Sequence, residues 1–190
     1  MHFLRITVAF IALLIAIRVQ PYKFGNAIVN NLCSYPIYLW SIDEAHDLTD
    51  REYTLVPSKS SYSEKLRVPR PGCKCGTSIK LSATPFITNI TQFEYSYLYY
   101  DVSFVNCATL ISNSPERRVF SGANCPGWDN GIVINGTGVG CQTMKCNAKE
   151  YCPYDAYFEP VPGVYQPVRS CSGESSTDLS LLLCVDMPNT

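Results

Sequence analysis

The sequence predicts an all-β protein, a disulfide-rich antiparallel β-sandwich, and three observations support this prediction. Short segments alternate apolar with polar residues, as where Ile79 and Leu81 alternate with Lys80 and Ser82. Thirteen prolines and eleven glycines interrupt the chain at frequent intervals. No stretch keeps an apolar period of 3.6 residues for three helical turns, so helices are not expected beyond one possible turn at 43–50. Many short strands in one domain are typical of a sandwich or barrel.

The predicted strands follow one another along most of the chain. Each either is rich in β-branched or aromatic residues or alternates apolar with polar residues, and turn formers bound it. The predicted strands lie at 27–31, 37–40, 65–68, 79–82, 91–105, 131–135 and 179–183. The longest, 91–105, carries a dense row of aromatic and aliphatic residues and is predicted to be one strand. We find no internal repeat, linker or low-complexity segment.

The N-terminus has the pattern of a secretory signal peptide. Residues 1–5 carry a positive charge, residues 6–17 are apolar except for Thr7, and Arg18 ends the run. This run is too short to span a bilayer comfortably, and no later run reaches membrane length. We therefore predict a leader at 1–20, cleaved somewhere within 16–25, and a domain at 26–186. The mature protein is expected to be secreted, extracellular or wall-associated, monomeric and not inserted in a membrane.

Ten cysteines follow the leader, an even number typical of an oxidising compartment. A bridge between Cys33, after the first predicted strand, and Cys184, in the last, would tie the two ends of the domain together. The spacing leaves the other pairings open; these cysteines are Cys73, Cys75, Cys107, Cys125, Cys141, Cys146, Cys152 and Cys171. A zinc site is the alternative use of thiolates, but no C-x2-C pair is present, so neither metal nor cofactor is expected.

Charge and chemistry exclude several classes of function. Loss of Arg5 and Arg18 with the leader leaves 13 basic and 16 acidic residues, a net charge of −3, and no basic run suggests nucleic acid as a partner. Beyond the leader only His46 remains, in an acidic loop, and no G-x-S-x-G motif accompanies it. Nucleophilic catalysis is therefore not predicted. Two N-x-S/T sequons, at Asn89 and Asn135, are candidate glycosylation sites.

A pair of carboxylates is the remaining catalytic possibility, since glycosidases use two such groups. The candidates on or beside predicted strands are Glu64, Glu94, Asp101, Asp155 and Glu159. Surface carboxylates with no shared site are the simpler interpretation of this set.

Several motifs, in order, resemble the thaumatin-like proteins. Asn31-Leu32-Cys33 before an aromatic strand is similar to the family's opening segment, and Tyr100-Asp101-Val102-Ser103 resembles its Y/W-D-V/I-S stretch. The C-terminal part is similar to the family's cysteine signatures, at 141–146, 152–157, 171–173 and 182–184. The segments at 25–31, 38–41 and 55–64 resemble the small fungal branch, the antigenic or yeast-phase-specific thaumatin-like proteins.

This resemblance implies a fold and a partial disulfide pattern. It implies a sandwich core with a reduced or absent second domain, secreted and associated with the fungal wall or the host interface. It also implies that Cys33 pairs with Cys184. Cys152 and Cys171 would bridge back to cysteines in the region 107–146.

The resemblance also implies an acidic cleft, which in plant relatives is thought to bind β-1,3-glucan. Glu94 and Asp101 match acidic positions of the family motifs. Asn106 and Lys145 stand where the family has aspartates, and Cys107 stands where it has glycine. An amide cannot serve as a general base, so these departures favour binding over hydrolysis.

Three functions of different classes follow from these observations. The favoured one is a non-enzymatic recognition protein that binds a cell-wall polysaccharide, with β-glucan as the leading ligand, or a host surface protein. Its predicted contacts are Glu94, Asp101, Tyr95, Tyr97, Trp128 and Asp155, with Tyr99 as a further stacking candidate. About half of the aromatic candidates are expected in the core, because alternate strand positions point inward.

The two alternatives have weaker support. A weak endo-β-1,3-glucanase would use Glu94 and Asp101, but on a single strand these residues, seven positions apart, would face opposite sides of the sheet. An antimicrobial protein would be expected to attract anionic membranes, which a net charge of −3 disfavours.

Overall fold

The structure of the protein is a computed structural model, which describes residues 24–43, 52–69, 72–73, 75–114, 117–160, 165–172 and 177–186. Within these ranges the chain forms thirteen β-strands. The strands are β1 (Asn26–Asn31), β2 (Ile37–Ile42), β3 (Thr54–Val56), β4 (Ser60–Lys65), β5 (Thr77–Ser82), β6 (Ile90–Ser96), β7 (Tyr99–Asn106), β8 (Thr109–Ser114), β9 (Arg117–Ser121), β10 (Ile132–Gly136), β11 (Met144–Cys146), β12 (Arg169–Ser170) and β13 (Leu179–Leu183). Within the described ranges one 3-10 turn, Trp128–Asn130, precedes β10. The predicted leader, His46 and most of the possible helical turn at 43–50 lie outside the described residues.

The strands form two large sheets and one small one. The five-stranded sheet has the order β11-β10-β13-β1-β4, and the six-stranded sheet has the order β12-β7-β6-β5-β2-β3. Strands β8 and β9 form a separate two-stranded sheet. Every described pairing is antiparallel except β1 with β13, which run parallel. The predicted all-β, disulfide-rich sandwich is confirmed.

The core lies between the two large sheets, because alternate positions of each strand point inward. Ala27 and Val29 of β1, Leu181 of β13, and Ile79 and Phe93 from the other sheet are all fully buried. They belong to one continuous cluster of buried residues. The period of two that predicted these strands therefore also predicts their inner faces.

The prediction of a single strand at 91–105 is wrong. The segment is a hairpin in which β6 and β7 pair antiparallel and Tyr97 and Leu98 form the turn. Tyr97 takes a positive φ of 58°, a conformation that glycine or asparagine usually supplies. The sequence has no such residue at this turn, so the break in the apolar run could not be read from composition.

All ten cysteines lie in the described part of the chain and are paired. The bridges are Cys33–Cys184, Cys73–Cys75, Cys107–Cys125, Cys141–Cys171 and Cys146–Cys152. The first joins the end of β1 to the residue after β13, beside the parallel pair. The motif at 141–146 thus supplies the partners of Cys171 and Cys152, which are Cys141 and Cys146.

The hydrogen bonds of Asn31 give a structural reason for the Asn31-Leu32-Cys33 motif at the start of the domain. Its side chain is fully buried, and its amide nitrogen donates to the carbonyl oxygens of Tyr35, Val56 and Pro57 at 2.9 to 3.0 Å. Its Oδ1 accepts from the backbone nitrogen of Cys33. A buried amide needs such partners, and here they join the β1–β2 loop to the β3–β4 turn.

Candidate ligand-binding cleft

The register of the six-stranded sheet places polar side chains in two rows across its outer face. In the first row Ser78 of β5 lies opposite Glu94 of β6, which lies opposite Asp101 of β7. Facing residues of paired strands project from the same side of a sheet. Their sequence neighbours Ile79, Phe93 and Val102 are buried in the core, so this row faces outward.

The second row runs beside the first, through Lys80, Gln92 and Ser103. Lys80 Nζ donates a short hydrogen bond to Gln92 Oε1, and Gln92 Nε2 lies 3.4 Å from Ser103 Oγ. Burial lowers the pKa of Lys80, while the charge of Glu94 acts against this shift. The row thus adds one cation and two neutral polar groups to the carboxylates.

One wall of the cleft comes from a segment outside the sheets. Tyr157 bridges to Ser103 in parallel, and the backbone nitrogen of Phe104 donates to Tyr157 O at 2.7 Å. Beyond this contact, Glu159 and Pro160 continue the wall. Tyr99 of β7, which is 61% exposed, also lines the cleft. The resulting cleft has a volume of about 480 Å³, within the usual range for small-molecule sites.

The carboxyl groups of the first row hold protons more firmly than ordinary carboxylates. Burial, and then the charge of Glu94, raise the pKa of Asp101 from 3.8 to about 8. Burial also raises the pKa of Glu94, against the lowering effects of Lys80 and of a hydrogen bond from Ser78. Asp101 Oδ1 is buried and has no hydrogen-bond partner among the described residues. At neutral pH the pair therefore offers both a proton donor and acceptor oxygens.

The hairpin brings Glu94 and Asp101 together, although a single strand was expected to separate them. They lie on neighbouring strands as direct partners, so both face the cleft without any bulge between them. The expectation of opposite faces was wrong because it followed from the wrong strand boundary. Of the other candidate carboxylates, Glu159 also lines the cleft.

Of the remaining predicted contact residues, Tyr95 also lines the cleft, whereas Tyr97, Trp128 and Asp155 do not. Tyr95 is 2% exposed, and its hydroxyl donates to Glu64. Trp128 is buried against Phe104 and Phe158. Tyr97 lies in the hairpin turn with its ring edge against Phe24, and Asp155 forms an ion pair of 2.9 Å with Arg169; neither Tyr97 nor Asp155 lines the cleft.

Several lining residues were not predicted from the sequence, among them Ser78, Gln92, Ser103 and Tyr157. Alternation in β5 already places Ser78 and Lys80 on its polar face, so the orientation of these residues could be predicted. The register between strands could not be predicted, because no local pattern specifies it. The substituted family positions Asn106, Cys107 and Lys145 do not line this cleft.

Both predicted glycosylation sites lie in the described part of the chain. The sequon residues Asn89 and Asn135 are both exposed. Among the described residues no group of three or more His, Cys, Asp or Glu side chains is arranged to hold a metal ion. Within the same ranges no helix is long and apolar enough to cross a membrane.

Comparison with known proteins defines the family. Residues 14–185 match the family model described as Bys1, Blastomyces yeast-phase-specific protein. The chain belongs to this family. An antigenic thaumatin-like protein from Arthroderma benhamiae is 27% identical to it over 166 residues, which are 85% of this chain and 72% of that protein. The resemblance to the fungal thaumatin-like branch is therefore confirmed.

A solved structure supports the fold of this yeast-phase-specific family member. The crystal structure of the protein elicitor MoHrip2 from Magnaporthe oryzae matches with a TM-score of 0.58 and 22% identity. The match covers 85% of this chain and 99% of the elicitor. At this identity the likeness shows a shared fold.

Proposed function

We propose that the protein is a secreted, non-enzymatic recognition protein and that the cleft on its outer sheet binds a β-glucan oligosaccharide. The observation that carries the proposal is the pair formed by Glu94 and Asp101, which faces the cleft and retains a proton near neutral pH. Sugar hydroxyls both donate and accept hydrogen bonds, so a half-protonated carboxyl pair matches them better than two full charges would.

The remaining cleft chemistry supports a carbohydrate ligand. Ser78, Gln92 and Ser103 line the cleft and are neutral groups that can donate and accept, and Lys80 beside them donates to Gln92. Tyr99 at the rim exposes an aromatic face on which the apolar side of a sugar ring can stack. A role at the wall or host interface is further supported by the relatives, one described as antigenic and one as an elicitor.

The test is retention of the mature protein on insoluble β-1,3-glucan. We expect the wild type to bind, and Glu94→Gln and Tyr99→Ala each to weaken binding about tenfold, the effect of losing roughly 1.4 kcal/mol. Tyr154→Ala is the matched control, because Tyr154 is 67% exposed but does not line the cleft. A wild type that stays in solution, or equal losses for Tyr99→Ala and Tyr154→Ala, would contradict glucan binding in this cleft.

One observation favours glycoside hydrolysis as a second candidate function. Asp101 is protonated at neutral pH, as a general acid must be, while Lys80 favours the ionised form of Glu94. Reducing-sugar release, measured in the same glucan assay, separates the two functions. Binding without release supports recognition, whereas release that disappears in Asp101→Asn with binding retained would identify a hydrolase.

A further inference from the structure

The disulfide between Cys73 and Cys75 differs from the other four in its exposure. Each of the other bridges contains at least one buried cysteine, and three of them bury both. Cys73 and Cys75 are both only half-buried. An incoming thiolate must approach a bridge along the S–S axis, so exposure decides which bridge can react.

The same bridge closes the smallest ring. Its cysteines are 2 positions apart, whereas the other separations are 6, 18, 30 and 151. A bridge stabilises a fold mainly by restricting the unfolded chain, and that restriction grows with the length of the closed loop. A ring of three residues therefore contributes little to the stability of the sandwich, and stability does not explain why these cysteines are joined.

We propose that Cys73–Cys75 is a thiol–disulfide exchange site whose substrates are small thiols and cysteine pairs of extended peptides. The site lies beside the cleft, because Ser96 Oγ donates to Cys75 O at 3.2 Å and the next two residues, Gly76 and Thr77, line the cleft. A thiol-bearing chain that reaches this rim meets the bridge before it meets any buried one.

The local hydrogen bonding gives the exchange a direction. The backbone nitrogen of Cys75 donates to Cys73 Sγ at 3.1 Å, so a thiolate at Cys73 is stabilised as a leaving group. The substrate thiolate attacks Cys75 Sγ, the S–S bond of the ring breaks, and Cys73 leaves with the electron pair. The second substrate thiolate then attacks the substrate sulfur of the mixed disulfide and releases Cys75.

This sequence balances in electrons and protons. The substrate dithiol loses two electrons and two protons and becomes a disulfide, while Cys73 and Cys75 become thiols. Glutathione disulfide, as the oxidant, then takes up the same two electrons and two protons, forms two glutathione thiols and restores the ring. The site does not require the proposed glucan binding, so the two proposals are independent.

The first experiment measures which bridge opens. The folded mature protein is equilibrated in glutathione buffers of increasing reducing strength, the thiols are blocked with an alkylating agent, and the peptides are identified by mass spectrometry. We expect Cys73 and Cys75 to be labelled together while the other eight cysteines stay protected. Opening of another bridge first, or no labelling before the whole protein unfolds, would overturn the proposal.

The second experiment measures the exchange itself. Recovery of activity by reduced ribonuclease A in a glutathione buffer is followed with and without the protein. We expect the wild type to accelerate recovery at least threefold and the double variant Cys73→Ala/Cys75→Ala to give the buffer rate. The variant's circular dichroism and unfolding midpoint serve as the check that it is folded. Equal rates for the wild type and the folded variant would refute the exchange site.

Discussion

At the scale of single residues, the cleft is defined by what burial does to Asp101. A carboxyl that titrates near pH 8 when folded and near 3.8 when unfolded binds more protons in the folded state between these values. The free energy of unfolding therefore falls as pH rises through this window, and the loss is complete above the folded pKa. Ionisation of Asp101 in the cleft thus costs stability at alkaline pH.

Replacing Asp101 by asparagine should remove this pH dependence. We expect Asp101→Asn to gain stability relative to the wild type as pH rises from about 4 to about 8, reaching on the order of 5 kcal/mol, since each unit of pKa shift is worth about 1.4 kcal/mol. Urea denaturation at several pH values measures the difference. Asp129→Asn, at an exposed position, removes the same charge elsewhere and serves as control. A constant difference between Asp101→Asn and the wild type across the window would contradict the assigned titration.

Glu64 is the second residue whose role depends on its surroundings. Its Oε1 accepts from Ser41 Oγ at 2.8 Å, Tyr95 OH at 2.9 Å and Arg67 Nη2 at 3.0 Å, and its Oε2 accepts from Tyr62 OH. Ser41 and Tyr95 belong to the six-stranded sheet and Glu64 to the five-stranded one, so this carboxylate joins the two sheets. Burial, and then the hydrogen bond to Glu64, raise the pKa of Tyr62. Burial acts to lower the pKa of Arg67, but the hydrogen bonds to Glu64 and Asp43 raise it overall.

Removing this carboxylate should destabilise the sandwich. We expect Glu64→Ala to lower the free energy of unfolding by about 2 kcal/mol, because it removes the acceptor of the partner hydroxyls and one of the two carboxylates that pair with Arg67. Guanidinium denaturation measures the loss, and Glu52→Ala, at an exposed position, is the matched control. Similar stabilities of the two variants would show that the cluster does not join the sheets energetically.

At the scale of elements, the entry into β10 depends on one glycine. Gly127 precedes the 3-10 turn with a φ of 87°, and a Cβ at this position would lie 2.7 Å from Ile132 Cγ2 and 2.9 Å from Leu183 Cδ2. The position therefore combines a left-handed backbone with close packing against β10 and β13. Both demands exclude a side chain.

A comparison of two glycines separates these demands. Gly72 has a nearly equal φ of 85°, but a Cβ there would meet nothing within 4 Å. We expect Gly72→Ala to cost about 1 kcal/mol for the backbone alone, and Gly127→Ala to cost about 3 kcal/mol because core packing is added. Thermal unfolding measures both variants. Equal costs would mean that the core around Gly127 relaxes without penalty.

At the scale of the whole molecule, the Cys33–Cys184 bridge closes the chain into one loop. The two cysteines are 151 positions apart and flank the parallel pair of β1 and β13, which brings the ends of the domain together. Restriction of the unfolded chain by so long a loop is worth about 5 kcal/mol at most in the chain-entropy model. The bridge should therefore carry a large share of the net stability.

Removal of this bridge should be the most costly of the disulfide changes. We expect Cys33→Ala/Cys184→Ala to lose about 3 to 5 kcal/mol, and Cys73→Ala/Cys75→Ala to lose less than about 2 kcal/mol. Guanidinium denaturation of both double variants, with the other bridges intact, gives the comparison. A larger loss for the pair at 73 and 75 would contradict the loop-length argument.

Local patterns in the sequence were enough to predict the class of the fold, its disulfide-rich character and the inner and outer faces of strands such as β5. These properties are local, because alternation with a period of two decides which side of a strand each residue faces. Motifs around the cysteines added the family. The carboxylates Glu94 and Asp101 were also identified from the sequence, although not their relation.

The pairing of these two carboxylates across β6 and β7 could not be predicted from local patterns. Pairing register depends on where a chain turns back. Here Tyr97 forms the turn in a left-handed conformation, which tyrosine rarely adopts and which its residue type therefore does not predict. The wall at Tyr157 joins the cleft from a segment more than fifty positions later in the chain. Register and long-range contact are properties of the assembled sheets, which is why the cleft emerged only with the fold.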